Sequence, residues 1–259
     1  MEEIIQTTQP FALTIAGLDP SGGAGLLADI KTFEHNGVYG LGVCSALTMQ
    51  TGARFLGVEW VPLDQIIAQV KPLLQTYPVA CCKIGIVQDV YTLSSLVHQL
   101  LQWQPDIRIV LDPVLKATAG FSFHGILQWE AWKQVFEAIY LLTPNYEEAK
   151  LLTGYNTGEE AAAVMAQCCH VLLKGGHHPL QAGVDTLYSP SPQKILPGTA
   201  AVTAKHGSGC VLSAAVTANL ARQQSLLTAC TNAKAYTEKF LSSNASPLGF
   251  HAPLNYSIS

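Results

Sequence analysis

The chain has 259 residues, of which 49% are apolar and only 12% charged, and its formal net charge is −4. This length suits one α/β domain, and the apolar content favours a large buried core over disorder. The acidic balance offers no basic surface to nucleic acid, and no run of about 18 apolar residues predicts a membrane span. Seven cysteines without a Cys-x-x-Cys spacing are typical of reduced thiols in a cytoplasmic protein. We therefore expect one domain over residues 1–259, without nucleic acid or membrane partners.

Apolar periodicity predicts strands and helices that alternate along most of the chain. Strands are predicted over 11–16, 40–50, 55–61, 79–86, 107–111, 171–174, 184–188 and 193–196, and residues 141–145 are expected to close a further strand. Helices are predicted over 26–36, 63–76, 90–103, 127–139, 209–220 and 226–242, and another is expected to begin after Asn145. The segment 55–61 is stopped by Pro62 and is expected to be an edge strand or a flap. This alternation predicts an α/β fold in which helices cover both faces of a mainly parallel sheet.

A glycine-rich turn, His206-Gly207-Ser208-Gly209-Cys210, precedes the apolar run 211–216. Its glycines allow a tight turn, and the apolar run predicts a buried helix that begins at about Gly209. Backbone N–H groups at the positive end of such a helix form an anion site. Cys210 lies in the first helical turn, where the pKa of a thiol tends to be lowered. The turn therefore predicts an anion hole containing a potential base, although a glycine-rich helix entry with a small buried cysteine explains the same spacing.

A second glycine-rich loop, residues 17–25, lies between the first predicted strand and helix. It lacks the Gly-Lys-Ser/Thr ending of a phosphate loop and the Gly-x-Gly-x-x-Gly of a dinucleotide site. We interpret it as a loop whose backbone approaches a small ligand closely, while a tight strand-to-helix turn explains the glycines equally well. Asp29 follows among apolar residues. It either faces solvent or, if it points back over the loop, becomes a buried acceptor for a ligand hydroxyl or amino group.

Polar residues gather at the predicted C-terminal ends of the strands, where ligands bind in open α/β sheets. Besides the turn before Cys210, these strand-end residues are Gly17, Gln50, Asp112, Asn145 and Lys174. The i, i+3 spacing of Asn145 and Glu148 suits water-mediated binding of Mg²⁺, and it equally suits a helix N-cap with an acidic first turn. Lys174 would neutralise phosphate, or it is an ordinary exposed lysine. As a set, these residues predict phosphoryl transfer, which depends on positioning and charge stabilisation.

Six segments, taken together and in order, resemble the hydroxymethylpyrimidine/phosphomethylpyrimidine kinases of thiamine biosynthesis, which belong to the ribokinase-like superfamily. The segments are Leu13-Thr14-Ile15-Ala16-Gly17 through Lys31-Thr32-Phe33, Lys83-Ile84-Gly85, Asp112-Pro113-Val114, Thr143-Pro144-Asn145 with Glu148-Ala149, Lys174-Gly175-Gly176-His177, and His206 to Cys210. The resemblance extends from about Ala12 to Leu220. It implies a single ribokinase-like kinase domain, built as a three-layer α/β/α sandwich around a mainly parallel sheet.

The resemblance also implies the chemistry. ATP and Mg²⁺ would support phosphorylation of the hydroxymethyl group of 4-amino-5-hydroxymethyl-2-methylpyrimidine, and then of the resulting monophosphate. The pyrimidine would be held by Gly17, Asp29, Gln50 and Val114. The nucleotide would be bound by Asp112, Asn145, Glu148 and Lys174, with Asn145 and Glu148 also ordering Mg²⁺ through water. For catalysis, Gly207, Ser208 and Gly209 would form the anion hole and Cys210 would act as the base. Ribokinase relatives usually have an aspartate at the position of Cys210. A cytoplasmic homodimer is the family expectation.

The sequence departs from the family pattern at Leu18, Ile86 and Ser208, and Thr118 replaces a lysine common in the loop after Asp112, although Lys116 lies nearby. Thr118 bears on how efficiently the second phosphate is added. Three alternative functions remain open from the residues. One is a pyridoxal or pyridoxine kinase on the same scaffold. The second is a non-catalytic vitamer-binding protein, and the third is a cysteine hydrolase in which His206 assists Cys210.

Overall fold

A computed structural model describes residues 9–115, 128–198 and 201–251 of the chain. The strands are β1 (Phe11–Leu18), β2 (Tyr39–Gln50), β3 (Phe55–Trp60), β4 (Val79–Ile84), β5 (Arg108–Leu111), β6 (Leu141–Leu142), β7 (His170–Leu173), β8 (Asp185–Tyr188) and β9 (Pro192–Ile195). The helices are α1 (Gly25–His35), α2 (Leu63–Thr76), α3 (Val90–Trp103), α4 (Trp129–Phe136), α5 (Tyr146–Thr153), α6 (Gly158–Met165), α7 (Ser208–Ala221) and α8 (Leu226–Leu241).

The nine strands form one sheet in the order β3-β2-β1-β4-β5-β6-β7-β8-β9. The six central strands, in the spatial order β2, β1, β4, β5, β6 and β7, pair in parallel. The outer strands β3, β8 and β9 pair antiparallel with their neighbours. The predictions of a mainly parallel sheet and of an edge position for β3 are confirmed. After β1, the chain first adds β2 and β3 on one side of β1 and then adds β4 and the later strands on its other side. The direction in which strands are added therefore changes at β1. A crevice for ligands is therefore expected outside the C-terminal ends of β1 and β4.

Helices cover both faces of this sheet and give the predicted three layers. Successive residues of a buried strand point to opposite faces. In β5, Ile109 and Leu111 pack with the core formed by α2 to α6, and Val110 packs with α1, α7 and α8. Helix α7 is buried on all sides from Val211 to Ala221, which explains its uninterrupted run of small and apolar residues. The helix therefore holds its N-terminus rigidly at one edge of the sheet.

Local predictions failed where sequence signals were short. Helix α6 was not predicted; its eight residues are too few for a clear period, and its start is fixed by the Thr157 side chain, which accepts from the Glu160 N–H. Helix α4 is shorter than the predicted 127–139. In the described ranges, no helix combines the length and apolarity needed to cross a bilayer. The assignment of 1–259 to one domain stays a prediction, because both termini lie outside the described residues.

Candidate functional site

A buried lysine and a buried aspartate meet beneath the C-terminal ends of β1 and β4. Lys83 is the last residue but one of β4 and Asp29 lies in α1, and neither is exposed to solvent. The Lys83 Nζ donates to both Asp29 carboxylate oxygens at 2.7 Å, and the Thr14 hydroxyl donates to Oδ2 at 2.6 Å. Burial alone would lower the pKa of Lys83, but the acidic groups around it, Asp29 first, outweigh burial and raise it. Lys83 is therefore a fixed positive charge in the centre of the site.

A second chain of charges connects β5, β7 and α5. The Lys174 Nζ, just beyond β7, donates to Asp112 Oδ1 at 2.8 Å and lies 3.8 Å from Glu148 Oε2. Asp112 Oδ2 accepts from the Ser213 hydroxyl of α7 at 3.1 Å. Burial opposes charge on both partners, but Lys174 lowers the pKa of Asp112, and Asp112 with Glu148 raises that of Lys174. This ion pair presents an ammonium group beside Gly209, at the start of α7.

The Asn145 and Glu148 pair forms a capping box at the start of α5. The Asn145 side chain accepts from the Glu148 N–H at 2.9 Å, and Glu148 Oε2 accepts from the Asn145 N–H at 2.7 Å. The N-cap interpretation of this spacing is therefore confirmed. Burial raises the pKa of Glu148 to about 7, with Lys174 opposing that shift. Glu148 thus combines a structural role with a carboxyl that titrates near neutral pH beside the Lys174 charge.

The N-terminus of α7 carries Cys210 into the same region. Gly207 caps the helix with φ of +78°, and the first N–H bonded within the helix is that of Val211, which donates to the Gly207 carbonyl at 2.9 Å. The N–H groups of Gly209 and Cys210 precede that bond and have no acceptor within the helix. They point toward the site with the positive end of the helix dipole.

The expectation of a lowered thiol pKa at Cys210 is wrong. Burial raises the pKa of Cys210 to about 11, and Asp112 and Asp29 add to this. The Lys83 charge and a hydrogen bond from the Gly25 N–H act in the opposite direction. A position in the first turn of a helix does not outweigh the cost of a thiolate in a buried site. With its pKa raised in this way, the thiol is mostly protonated at neutral pH.

The two glycine-rich segments pack directly against each other's backbone. Within the loop after β1, a Cβ at Gly25, with φ of +58°, would overlap the Gly17 carbonyl oxygen. At Gly207, a Cβ would overlap the Gly23 carbonyl oxygen. These close backbone contacts account for Gly25 and Gly207 better than the tight turn of each loop does by itself. They bring the loop after β1 to within contact of the anion hole.

The residues expected to hold the pyrimidine occupy different environments. Gln50, at the end of β2, donates to the Thr48 hydroxyl at 2.9 Å, and Thr48 donates to the Leu18 carbonyl at 2.8 Å, so Gln50 stands beside the loop that follows β1. Gly17 lies at the C-terminal end of β1, and Val114 lies two residues beyond Asp112. Asp29 differs, because both of its oxygens are already bonded to Lys83 and Thr14.

Sequence reasoning gave no role to several residues that organise the site. Lys83 appeared only within a family segment, although a lysine inside the apolar run of β4 already indicates a buried ion pair. Ser213 appeared only within the apolar run of α7, yet it bonds Asp112. Asp185, buried at the start of β8, accepts from the Gly175 N–H at 2.7 Å and fixes the turn that follows Lys174. Lys116 and Thr118 lie outside the described residues.

Comparisons with known proteins agree with this architecture. The family model described as phosphomethylpyrimidine kinase matches residues 19–255. The hydroxymethylpyrimidine/phosphomethylpyrimidine kinase of Rhizobium meliloti (strain 1021) is 36% identical over 245 residues, which are 90% of each chain. The phosphomethylpyrimidine kinase structure from Clostridium difficile 630 aligns with a TM-score of 0.73 at 30% identity, covering 88% of this chain and 98% of that one. An ADP complex of Bacillus subtilis pyridoxal kinase aligns with a TM-score of 0.78 at 28% identity, covering 96% of this chain and 95% of that one.

Proposed function

The chain belongs to the phosphomethylpyrimidine kinase family, and we propose that the residues around Cys210 carry its phosphoryl transfer. It is an ATP-dependent kinase that phosphorylates the hydroxymethyl group of 4-amino-5-hydroxymethyl-2-methylpyrimidine and then the monophosphate, in thiamine biosynthesis. One observation supports this site above others. The N-terminus of α7, the Asp112–Lys174 ion pair and the buried Lys83 meet at the C-terminal edge of the sheet. Phosphoryl transfer needs this combination of free N–H donors and positive charge.

In the proposed reaction, the substrate hydroxyl oxygen bonds to the γ-phosphorus of ATP as the bond between that phosphorus and the β,γ-bridging oxygen breaks. The hydroxyl proton passes to the Cys210 sulfur, and ADP leaves. The N–H groups of Gly207, Ser208, Gly209 and Cys210 form the proposed anion hole. The Ser208 N–H donates to the Lys205 carbonyl at 3.4 Å, a long bond that phosphate would replace. Lys174 neutralises phosphate charge, and Asp112 positions Lys174 for that role.

The charge of Lys83 stabilises the thiolate form of Cys210, which is the form that can act as the base. Lys83 opposes the effect of burial on Cys210, and its own partner, Asp29, holds its ammonium in place. The thiolate would therefore face a fixed positive charge in a buried site before the reaction, and accepting the hydroxyl proton would convert it to the neutral thiol. General-base catalysis of this kind contributes roughly 10²–10⁴-fold to the rate.

Asn145 and Glu148 fit Mg²⁺ in the chemistry of their donors, because both offer oxygen atoms. Among the described residues, no three His, Cys, Asp or Glu side chains lie close enough together to hold a metal by themselves. Asn145 and Glu148 would therefore act through water, with the ATP phosphates as the remaining ligands. Bound there, Mg²⁺ would neutralise charge on the transferred phosphoryl group. Lys174, 3.8 Å from Glu148, would share that task.

We assign the pyrimidine to the crevice beside the loop after β1. Gly17 allows close approach of the ring, the Gln50 amide offers a donor and an acceptor to the aminopyrimidine edge, and Val114 supplies backbone groups. Asp29 stays a predicted pyrimidine contact. It would have to share with the ligand oxygens that now accept from Lys83 and Thr14.

Substrate choice tests this proposal. ADP release should be measured with ATP and Mg²⁺ on hydroxymethylpyrimidine, its monophosphate, pyridoxal and pyridoxine at equal concentrations. The Cys210→Ala protein, purified identically, controls for contaminating kinases. We expect turnover on both pyrimidines and a lower kcat/KM on the two vitamin B6 compounds. A preference for pyridoxal would contradict the substrate assignment, and clean binding without turnover would contradict the assignment as an enzyme.

Assembly and location complete the proposal. Leu47 and Met49 of β2 and Leu56 of β3 are exposed on the edge hairpin, and Leu56 is 74% exposed. A homodimer that covers this apolar edge is our expectation, and sedimentation of Leu56→Glu against the unmodified protein tests it. All seven cysteines are free thiols, which supports a reducing compartment such as the cytoplasm.

A further inference from the structure

Asp19, in the loop after β1, is buried and accepts hydrogen bonds from its own loop. Its Oδ1 accepts from the Ser21 N–H at 2.9 Å, its Oδ2 accepts from the Ala24 N–H at 2.9 Å, and the Ser21 hydroxyl lies within 2.9 Å of both oxygens. Burial alone would raise the pKa of Asp19, but hydrogen bonds from His206 and Ser21 outweigh it and lower the pKa. The ionised carboxylate therefore organises residues 19–24 around itself.

His206, immediately before the α7 cap, reaches the same carboxylate from the other loop. Its Nε2 lies 2.8 Å from Asp19 Oδ2, although 187 positions separate the two residues. His206 is 7% exposed, and its Nδ1 is buried without a hydrogen-bond partner in the part of the chain that the structure describes. A proton on Nδ1 would be an unsatisfied buried donor, whereas a proton on Nε2 is donated to Asp19, so the hydrogen-bond network assigns Nε2 as the donor.

The hydrogen bond between Asp19 and His206 lies where the two glycine-rich loops are also in direct contact. The His206 ring packs on Gly23, whose missing Cβ would fall 2.7 Å from ring atom Cδ2, and Gly207 packs on the Gly23 carbonyl. The backbone N–H of Gly25, at the end of the loop after β1, lowers the pKa of the Cys210 thiol. Movement of this loop would therefore change the surroundings of the proposed base as well as displace the neighbour of the anion hole.

We propose that Asp19 and His206 are positioning residues: their hydrogen bond clamps the two glycine-rich loops together and fixes the anion hole relative to Cys210. The inference rests on the proposed function, since the anion hole is the structure being positioned. Misplacement of catalytic groups by about 1 Å costs on the order of 100-fold in rate. The clamp acts through other residues, so its loss lowers kcat more than it raises KM.

The side-chain chemistry allows a graded test. His206→Ala removes the donor, whereas His206→Gln keeps an N–H donor near the position of Nε2. Asp19→Asn is disruptive in either orientation of its amide, because the Ser21 and Ala24 N–H groups face the two oxygens and one must meet the NH₂ group. Val70→Ala, at a buried position of α2, is the matched control for lost stability alone.

Two measurements are made on the full-length variants. The first is kcat and KM on hydroxymethylpyrimidine. We expect His206→Ala to lower kcat by ~10- to 100-fold with KM changed less than about threefold, and His206→Gln to recover to within about fivefold of the unmodified protein. The second is hydrogen–deuterium exchange, which needs no turnover. We expect His206→Ala to accelerate exchange at residues 21–25, and Asp19→Asn to accelerate it at 207–211, each at least about tenfold on the opposite loop.

Exchange confined to the substituted loop would overturn the clamp, as would His206→Gln being no better than His206→Ala. A fall in kcat for Val70→Ala equal to that of His206→Ala would assign the effect to stability and would also overturn it. If the unmodified protein phosphorylates none of the alcohols, the proposed function fails, while the exchange experiment still decides whether the two loops are clamped.

Discussion

Replacing Cys210 by alanine is the most direct test of the proposed base. Loss of general-base catalysis lowers rates by roughly 10²–10⁴-fold. We therefore expect Cys210→Ala to reduce kcat at least ~100-fold, and KM for the pyrimidine to change less than about threefold. The small change in KM is expected because the thiol accepts the proton only as the hydroxyl oxygen attacks phosphorus, so it contributes little to binding.

The pH dependence adds a second measurement on the same pair of proteins. With the pKa of Cys210 at about 11, only about one molecule in a thousand carries the thiolate at pH 8. Below the pKa, the thiolate fraction rises tenfold per pH unit. We therefore expect kcat of the unmodified enzyme, at saturating Mg²⁺ and ATP, to rise about tenfold per unit between pH 7.5 and 9. Cys210→Ala should show a flat profile over that range.

The assay is chromatographic quantification of ADP, which avoids coupling enzymes with their own pH optima. Cys230→Ala, at a buried cysteine of α8, controls for the loss of a thiol from the core. Two results would refute the reasoning: a kcat for Cys210→Ala within about fivefold of the unmodified enzyme, or an unmodified enzyme whose kcat does not change across the range.

Two further predictions concern the charged residues of the site. Lys83→Met leaves Asp29 buried without its cation, so unfolding in urea should show a loss of ~3–5 kcal/mol, and the double variant Lys83→Met/Asp29→Asn should regain much of it; equal stability of Lys83→Met and the unmodified protein would contradict the ion pair. Glu148, with its pKa near 7, binds a proton in competition with Mg²⁺, so the Mg²⁺ concentration for half-maximal rate should rise as pH falls from 8 to 6. Glu148→Gln keeps the capping box, and it should raise that concentration about tenfold at pH 8 and abolish its pH dependence; a pH dependence that persists in this variant would exclude Glu148.

Local sequence patterns determined most of the fold. Helices α2 and α3 begin and end at the predicted residues, because their apolar spacing and flanking residues are decided within a few turns of chain. The alternation of strands and helices determined the parallel sheet, and with it the edge at which we place the proposed site. Asp112, Asn145 and Lys174 were found from their strand-end positions alone, since parallel strands bring their C-terminal ends to one edge.

Tertiary structure decided the state of each group within that edge. The helix-terminal position of Cys210 suggests a thiolate, but burial raises its pKa, and burial depends on helices and strands distant in sequence. Asp29 appeared free to meet a ligand until β4 placed Lys83 against it, 54 positions away. The bond between Asp19 and His206 crosses 187 positions and has no local signal. A chain's periodicity reports which face of an element is buried, whereas charges and pKa values depend on what the fold brings against that face.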